Sequence, residues 1–221
     1  KERLWYVAWL FAGIIILFWN LENIVGLHRD EAIFGLFVEM IIDGARPLYG
    51  IFNYYTSPVH AYLLAIVIKV FGNSIWSLRC FGPIFTLITI VAIFDIVRRF
   101  SAMCARWIAC LLVTFPPIVM LSRLCGEVFV FNPFLFFGTI WVYVRLCRSQ
   151  KQYICKTGWI LAGFLMSIGV WNHIIFLPSA ISLAICYSLF MWPGFRQYLV
   201  NGIFCSLGFL LGLMPRFISA W

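Results

Sequence analysis

The sequence predicts an all-α integral membrane protein of about seven transmembrane helices, with interfacial helices in its first outer loop. Three observations carry this. Apolar side chains make up 64% of the 221 residues and charged ones only 11%, more apolar surface than a soluble core can use. Apolar runs recur along the chain between short polar turns. There is no ten-residue alternation of the kind a membrane barrel needs. The expected organisation is one transmembrane domain over residues 1–221, with an outer loop over 21–78.

The first span runs from about Leu4 to Asn20, and Lys1 and Arg3 before it place that end in the cytoplasm. No small-x-small cleavage site precedes Leu21 and Glu22, so the segment reads as a retained anchor. The loop over 21–78 faces outward and holds five of the eight acidic residues. Within it, Glu31, Gly35, Glu39 and Asp43 recur every four residues, one narrow polar stripe on a helix whose other faces are apolar. Gly44 stops that helix and Pro47 prevents its resumption. About 13 residues remain, ~20 Å at 1.5 Å each, too short to cross a bilayer. The helix is expected on the membrane surface. Asp30 then sits at its N-terminus, where backbone N–H groups and the macrodipole stabilise negative charge.

Pro58 to Gly72 is marginal for spanning and carries Lys69. Read as a second interfacial or re-entrant helix, it keeps Arg98, Arg99 and Arg106 on the inner side, as the charge rule favours. Spans follow at about Phe81–Val97 and Trp107–Leu121. The outer loop SRLCGEVFVFNP, 122–133, leads to Phe134–Cys147 and then Gly158–Trp171. A polar turn at Asn172 and His173 precedes Ile174–Phe190, and the seventh span is Tyr198–Met214. With this topology the outer basic residues Arg29, Arg46, Lys69, Arg79, Arg123 and Arg216 are matched by outer acids. The net charge of +8 is therefore cytoplasmic, which implies contact with anionic membrane lipid and no nucleic-acid partner. The eight cysteines form no C-x-x-C pair and read as packing residues.

An outward carboxylate at membrane level with arginines nearby suits the transfer of a group from a lipid phosphate to an acceptor hydroxyl. The attacking hydroxyl must lose a proton, which Asp30 would accept, and the departing phosphate gains charge that arginine stabilises bidentately. Asp30 as a plain N-cap and Glu31 as a solvated first-turn acid is the structural alternative. The phosphate clamp would come from the outer basic set, Lys69 included, with Arg46 and Arg123 the first choices. Headgroup contact and snorkelling are the alternative for each singly. Glu127 is the one acid of the second outer loop, either salt-bridged to Arg123 or part of the site. Tyr54 and Tyr55 would line a sugar or lipid site or anchor in the interfacial belt. The reading assigns no cofactor. A divalent metal held by His28, His60 or His173 with Asp30 or Glu31 stays open, although the histidines have no ligand spacing.

Several motifs carry a family resemblance. They are Asp30-Glu31-Ala32, an apolar helix, Gly44-x-x-Pro47-Leu48-Tyr49, an aromatic turn and Pro58. Phe71 to Arg79 (FGNSIWSLR), Arg98-Arg99-Phe100, Ser122-Arg123, and Gly212 with Pro215 extend the pattern. Together they resemble the GT-C glycosyltransferases, in the branch of dolichyl-phosphate-mannose protein mannosyltransferases and bacterial lipid A aminoarabinose transferases. The resemblance covers nearly the whole chain, is specific in the first loop and is weaker beyond Cys125. It implies a polyprenyl-phosphate sugar donor, Asp30 as catalytic base with Glu31 beside it, and loop 21–78 as the catalytic loop. Arg46, Arg123, Glu127, Tyr54, Tyr55, Lys69 and His173 are then the expected substrate-binding set. A second outer acid common in the family corresponds to Glu127 or to the position of Asn132.

The function expected is inverting transfer of a sugar to a lipid, glycan or protein acceptor on the periplasmic or lumenal face. The membrane is the bacterial inner membrane, or that of the endoplasmic reticulum if the chain is eukaryotic. Family enzymes usually continue through further spans, so a C-terminal part or partner is expected to be missing. A catalytically inactive or partial subunit, and a lipid-binding or transport protein, are the alternatives.

Overall fold

The computed structural model describes residues 2–23, 26, 28–50, 56–124, 127–147, 152–191 and 195–218. The described elements are all helical. They divide into two compact units, Lys1–Pro47 with Pro58–Phe134, and Leu48–Ser57 with Leu135–Trp221.

The first unit begins with α1 (Glu2–Phe18) and α2 (Arg29–Ile42), followed by α3 (Val59–Phe71) and the short α4 (Ile75–Arg79). Next come α5 (Phe81–Arg98), α6 (Ala102–Thr114), α7 (Pro116–Ser122) and the opening turns of α8 (Glu127–Leu146). Helix α2 ends where the sequence places the stop. Gly44 adopts φ +111°, which only a residue lacking Cβ takes without strain. Its apolar residues Phe34, Phe37, Val38 and Ile41 pack on Ala61, Leu64, Ala65 and Ile68 of α3, forming one hydrophobic cluster with Leu78. A second cluster joins Trp9 of α1 to Ile90 and Phe94 of α5 and to Ala105, Ala109 and Val113 of α6. Ala105 and Ala109 are one turn apart and buried, small residues that let neighbouring helices come close. At the expected inner end, buried Asp95 binds Arg98 at 3.1 Å and Arg99 at 3.0 Å.

Two segments differ from the sequence expectation. The span expected over Trp107–Leu121 is broken, with α6 and α7 meeting at 58°. Pro116 and Pro117 have no N–H to give to the carbonyls one turn back, and Phe115, before the first proline, is extended. The loop expected over 122–133 is mostly helix, since α8 starts at Glu127 and keeps Pro133 inside it. Membrane helices tolerate such an interior proline because neighbouring groups re-satisfy the freed backbone.

The second unit continues α8 from Leu135 into α9 (Gln152–Asn172), a 3₁₀ turn at Ile174–Phe176, α10 (Leu177–Met191) and α11 (Phe195–Ile218). Helices α9 and α11 touch backbone to backbone. A Cβ on Gly163 would lie 1.9 Å from the Cys205 carbonyl oxygen, and one on Gly208 equally close to that of Ile160. This is the small-residue packing by which helices associate in lipid. Beside it Trp159 is buried with Val142, Leu146 and Ala162, its ring 4.7 Å from that of Tyr187.

Ile75–Arg98 and Leu199–Arg216 are long and apolar enough to cross a membrane, and the bent α6–α7 pair makes a third if it counts as one span. The apolar helices Trp5–Phe18, Val59–Phe71, Val130–Leu146 and Ile174–Leu189 are shorter. Of the seven spans expected, two or three therefore meet the length and composition of a crossing helix among the described residues.

Candidate active site

The site is built from the first turn of α2. His28 is its N-cap, extended at φ −79° and ψ 149°. Its Nδ1 accepts from the Asp30 N–H at 3.3 Å, while its own N–H donates to Glu31 Oε2 at 3.1 Å. This is a capping box in which a histidine does what serine or threonine usually does. The same histidine nitrogen lies 3.7 Å from Asp30 Oδ2. The Asp30 carboxylate is thus held at the mouth of the helix, two-thirds exposed, where the macrodipole favours negative charge.

Its neighbour is treated differently. Glu31 is buried, and Arg79 grips it with Nε donating to Oε1 at 3.0 Å and Nη2 to Oε2 at 2.7 Å. The same guanidinium donates to the carbonyls of Leu21 at 3.1 Å and Gly26 at 3.1 Å. One arginine on α4 therefore ties together the turn that follows α1, the chain leading into α2, and α2 itself. Arg79 was one of six outer cations in the sequence; its role as the fixed partner of Glu31 was not legible there.

Arg123 caps the C-terminal end of α7 and is buried. Its Nη2 donates to the Ile16 carbonyl of α1, whereas Nε and Nη1 meet no acceptor among the described residues. A desolvated cation with two uncommitted N–H groups suits an anionic oxygen. Arg46 is exposed beyond α2, its Nη1 donating to the Ala45 carbonyl at 2.9 Å, and Lys69 is exposed in the last turn of α3. Glu127 opens α8, but its side chain lies outside the described residues, as do Tyr54 and Tyr55 altogether.

His173 belongs to the second unit. It caps the 3₁₀ turn, its Nδ1 accepting from the Ile175 N–H at 3.1 Å, and it pairs through its backbone with Thr56. His60, one of the histidines considered for a metal, is buried among Phe34, Phe81, Phe85 and Phe131, with ring centroids 5.3 to 6.2 Å apart. Burial pulls its pKa down to about 4, which keeps the ring neutral. Among the described residues no three His, Cys, Asp or Glu side chains come together as a metal site.

No curated protein and no solved structure matches the chain. The family model of the dolichyl-phosphate-mannose-protein mannosyltransferases matches residues 55–218. The match takes in α3 to α11 with Arg79, Arg123 and His173, and starts after Asp30 and Glu31. It covers most of the sequence, and the chain belongs to the dolichyl-phosphate-mannose-protein mannosyltransferase family.

Proposed function

We propose that this chain transfers a sugar from a polyprenyl phosphate to an acceptor hydroxyl on the outer face of a multi-spanning membrane enzyme, with Asp30 as base. The family is one of GT-C glycosyltransferases, membrane proteins that take a lipid-linked sugar and deliver it to a glycan or protein. The observation that carries the reading is the division of labour between two adjacent acids. Both Glu31 oxygens are committed, to Arg79 and to the His28 N–H, while the Asp30 carboxylate is exposed, with the His28 imidazole 3.7 Å away and no lysine or arginine paired with it among the described residues. Asp30 is the acid free to take a proton, and Glu31 is a positioning residue that fixes the turn on which Asp30 sits.

In the proposed step the acceptor oxygen attacks the anomeric carbon as its proton passes to Asp30. The bond from that carbon to the phosphate oxygen breaks, and its electron pair leaves with the lipid phosphate. A single displacement of this kind inverts the anomeric centre. The uncommitted N–H groups of Arg123 suit the charge that grows on the leaving phosphate, with Arg46 and Lys69 as exposed cations nearer the surface. Glu127 belongs to the same proposed set, and Tyr54, Tyr55 and His173, which fall in the second unit, are proposed as further substrate contacts.

The test is transfer of labelled sugar from a panel of polyprenyl-phosphate sugars by membranes containing the chain or its Asp30→Asn variant. Removing a general base should lower turnover about 10²–10⁴-fold with the protein still folded. Unchanged turnover in the variant would remove Asp30 from the mechanism.

A further inference from the structure

The polar stripe of α2 faces a cleft that the proposed proton transfer does not use. One wall is Glu31, Ala32, Gly35, Leu36 and Glu39 of α2; the other is the turn between α3 and α4 at Asn73 and Ser74, with Ile75 and Leu78 beyond it. The space is about 430 Å³, within the ~300–1,000 Å³ of small-molecule sites. Gly35 forms part of its floor, where any side chain would project into the space.

The chemistry of the walls selects the occupant. The charge of Glu31 is cancelled by Arg79, so Glu39 leaves the cleft net negative and unsuited to a phosphate. Asn73 Nδ2 donates to Glu39 Oε1. That leaves a second carboxylate oxygen on Glu39, and a carbonyl oxygen and a second N–H on Asn73, side by side. Adjacent acceptors and donors at a rim, above the apolar groups Leu36, Ile75 and Leu78, match a ring whose edge carries hydroxyls and whose face carries C–H. Ser74 is committed to the helix, its Oγ accepting from the Ser77 N–H at 3.1 Å, and so shapes the wall.

We propose that this cleft is a sugar subsite, holding a hydroxyl-bearing ring through Glu39 and Asn73 over the floor at Gly35. The inference rests on the glycosyltransferase reading, and the ring belongs either to the donor or to the acceptor. Glu31, the residue after Asp30, is part of the cleft lining, and the α2 turn that carries it also carries the proposed base.

Binding of methyl glycosides to the purified full chain in detergent, followed by saturation-transfer NMR, reads the subsite without requiring turnover. At least one glycoside is expected to bind the parent, and Gly35→Leu, which fills the floor, should weaken it about tenfold or more, ~1.4 kcal/mol. A Cβ at Gly35 lies 3.7 Å from Leu78 Cδ1, an ordinary contact, so Gly35→Ala should fold and weaken binding less. Asn73→Ala supplies the same reading by removing a polar partner instead of filling space. Displacement of the glycoside by a polyprenyl-phosphate sugar assigns the ring to the donor, and its persistence assigns it to the acceptor. No glycoside bound by the parent, or equal binding by Gly35→Leu and Asn73→Ala, overturns the subsite. Glycoside binding without label transfer would sink the transferase reading and leave the cleft standing.

Discussion

Arg79 and Glu31, 48 residues apart in sequence, meet in a two-pronged ion pair with both side chains buried. The pair has little contact with water, so its two halves are not separable. Arg79→Met strands a buried carboxylate and should cost about 3–5 kcal/mol, whereas Arg79→Met with Glu31→Met together should cost far less. Denaturant unfolding of the single and double variants decides this, and equal losses would mean the pair is not a unit. Arg79→Lys should behave nearer to Met than to the parent, because an ammonium cannot span both carboxylate oxygens and two carbonyls.

Arg123 offers a kinetic counterpart. Arg123→Lys keeps the charge but loses the planar fork, so the KM for the lipid-phosphate donor should rise about tenfold, roughly the loss of one charge-assisted hydrogen bond. The KM for acceptor should stay put. A rise in acceptor KM with donor KM unchanged would take Arg123 away from the phosphate.

His60 makes stability depend on pH. Its folded pKa of about 4 lies below the ~6.5 of an unfolded histidine, so between these values the unfolded chain binds the extra proton. Stability from this residue is therefore fully present above pH 6.5 and is lost as pH falls toward 4. His60→Leu should flatten that part of a melting-temperature curve between pH 7 and 4. A slope as steep as the parent's would assign the effect to other groups.

The α9–α11 contact admits no side chain at its closest points. Gly208→Val would drive a branched group into the Ile160 carbonyl and force the helices apart, costing about 1–3 kcal/mol as overpacking does. Gly202→Val, where a Cβ meets nothing within 4 Å, is the matched control and should be near neutral. A thermal-shift comparison separates the two.

Local features were legible in the sequence and long-range ones were not. The four-residue recurrence of Glu31, Gly35 and Glu39 fixes a face of α2, and Gly44 with Pro47 fixes its end, because both depend only on neighbours along the chain. What lies opposite that face is a matter of packing. Periodicity could say that Glu31 and Glu39 share a stripe; it could not say that Arg79 would take one and Asn73 the other. His60 shows the same limit, since phenylalanines from α2, α5 and α8, distant in sequence, decide its burial. The α6–α7 break is a different case. Pro116 and Pro117 lie within a continuous apolar run, and their missing N–H groups break the helix that hydrophobicity alone would continue.

The glycine contact between α9 and α11 also bears on the order in which the protein is made. Helix α9 leaves the ribosome before α10, and α11 follows both. The face of α9 that carries Ile160 and Gly163 therefore has no mate until α11 is synthesised, and for the whole of α10's emergence it must be shielded by lipid or by the insertion machinery. A chain released before Phe195 would present that groove permanently, a surface shaped for another close-packing helix, and would be handled by the cell as an unassembled protein.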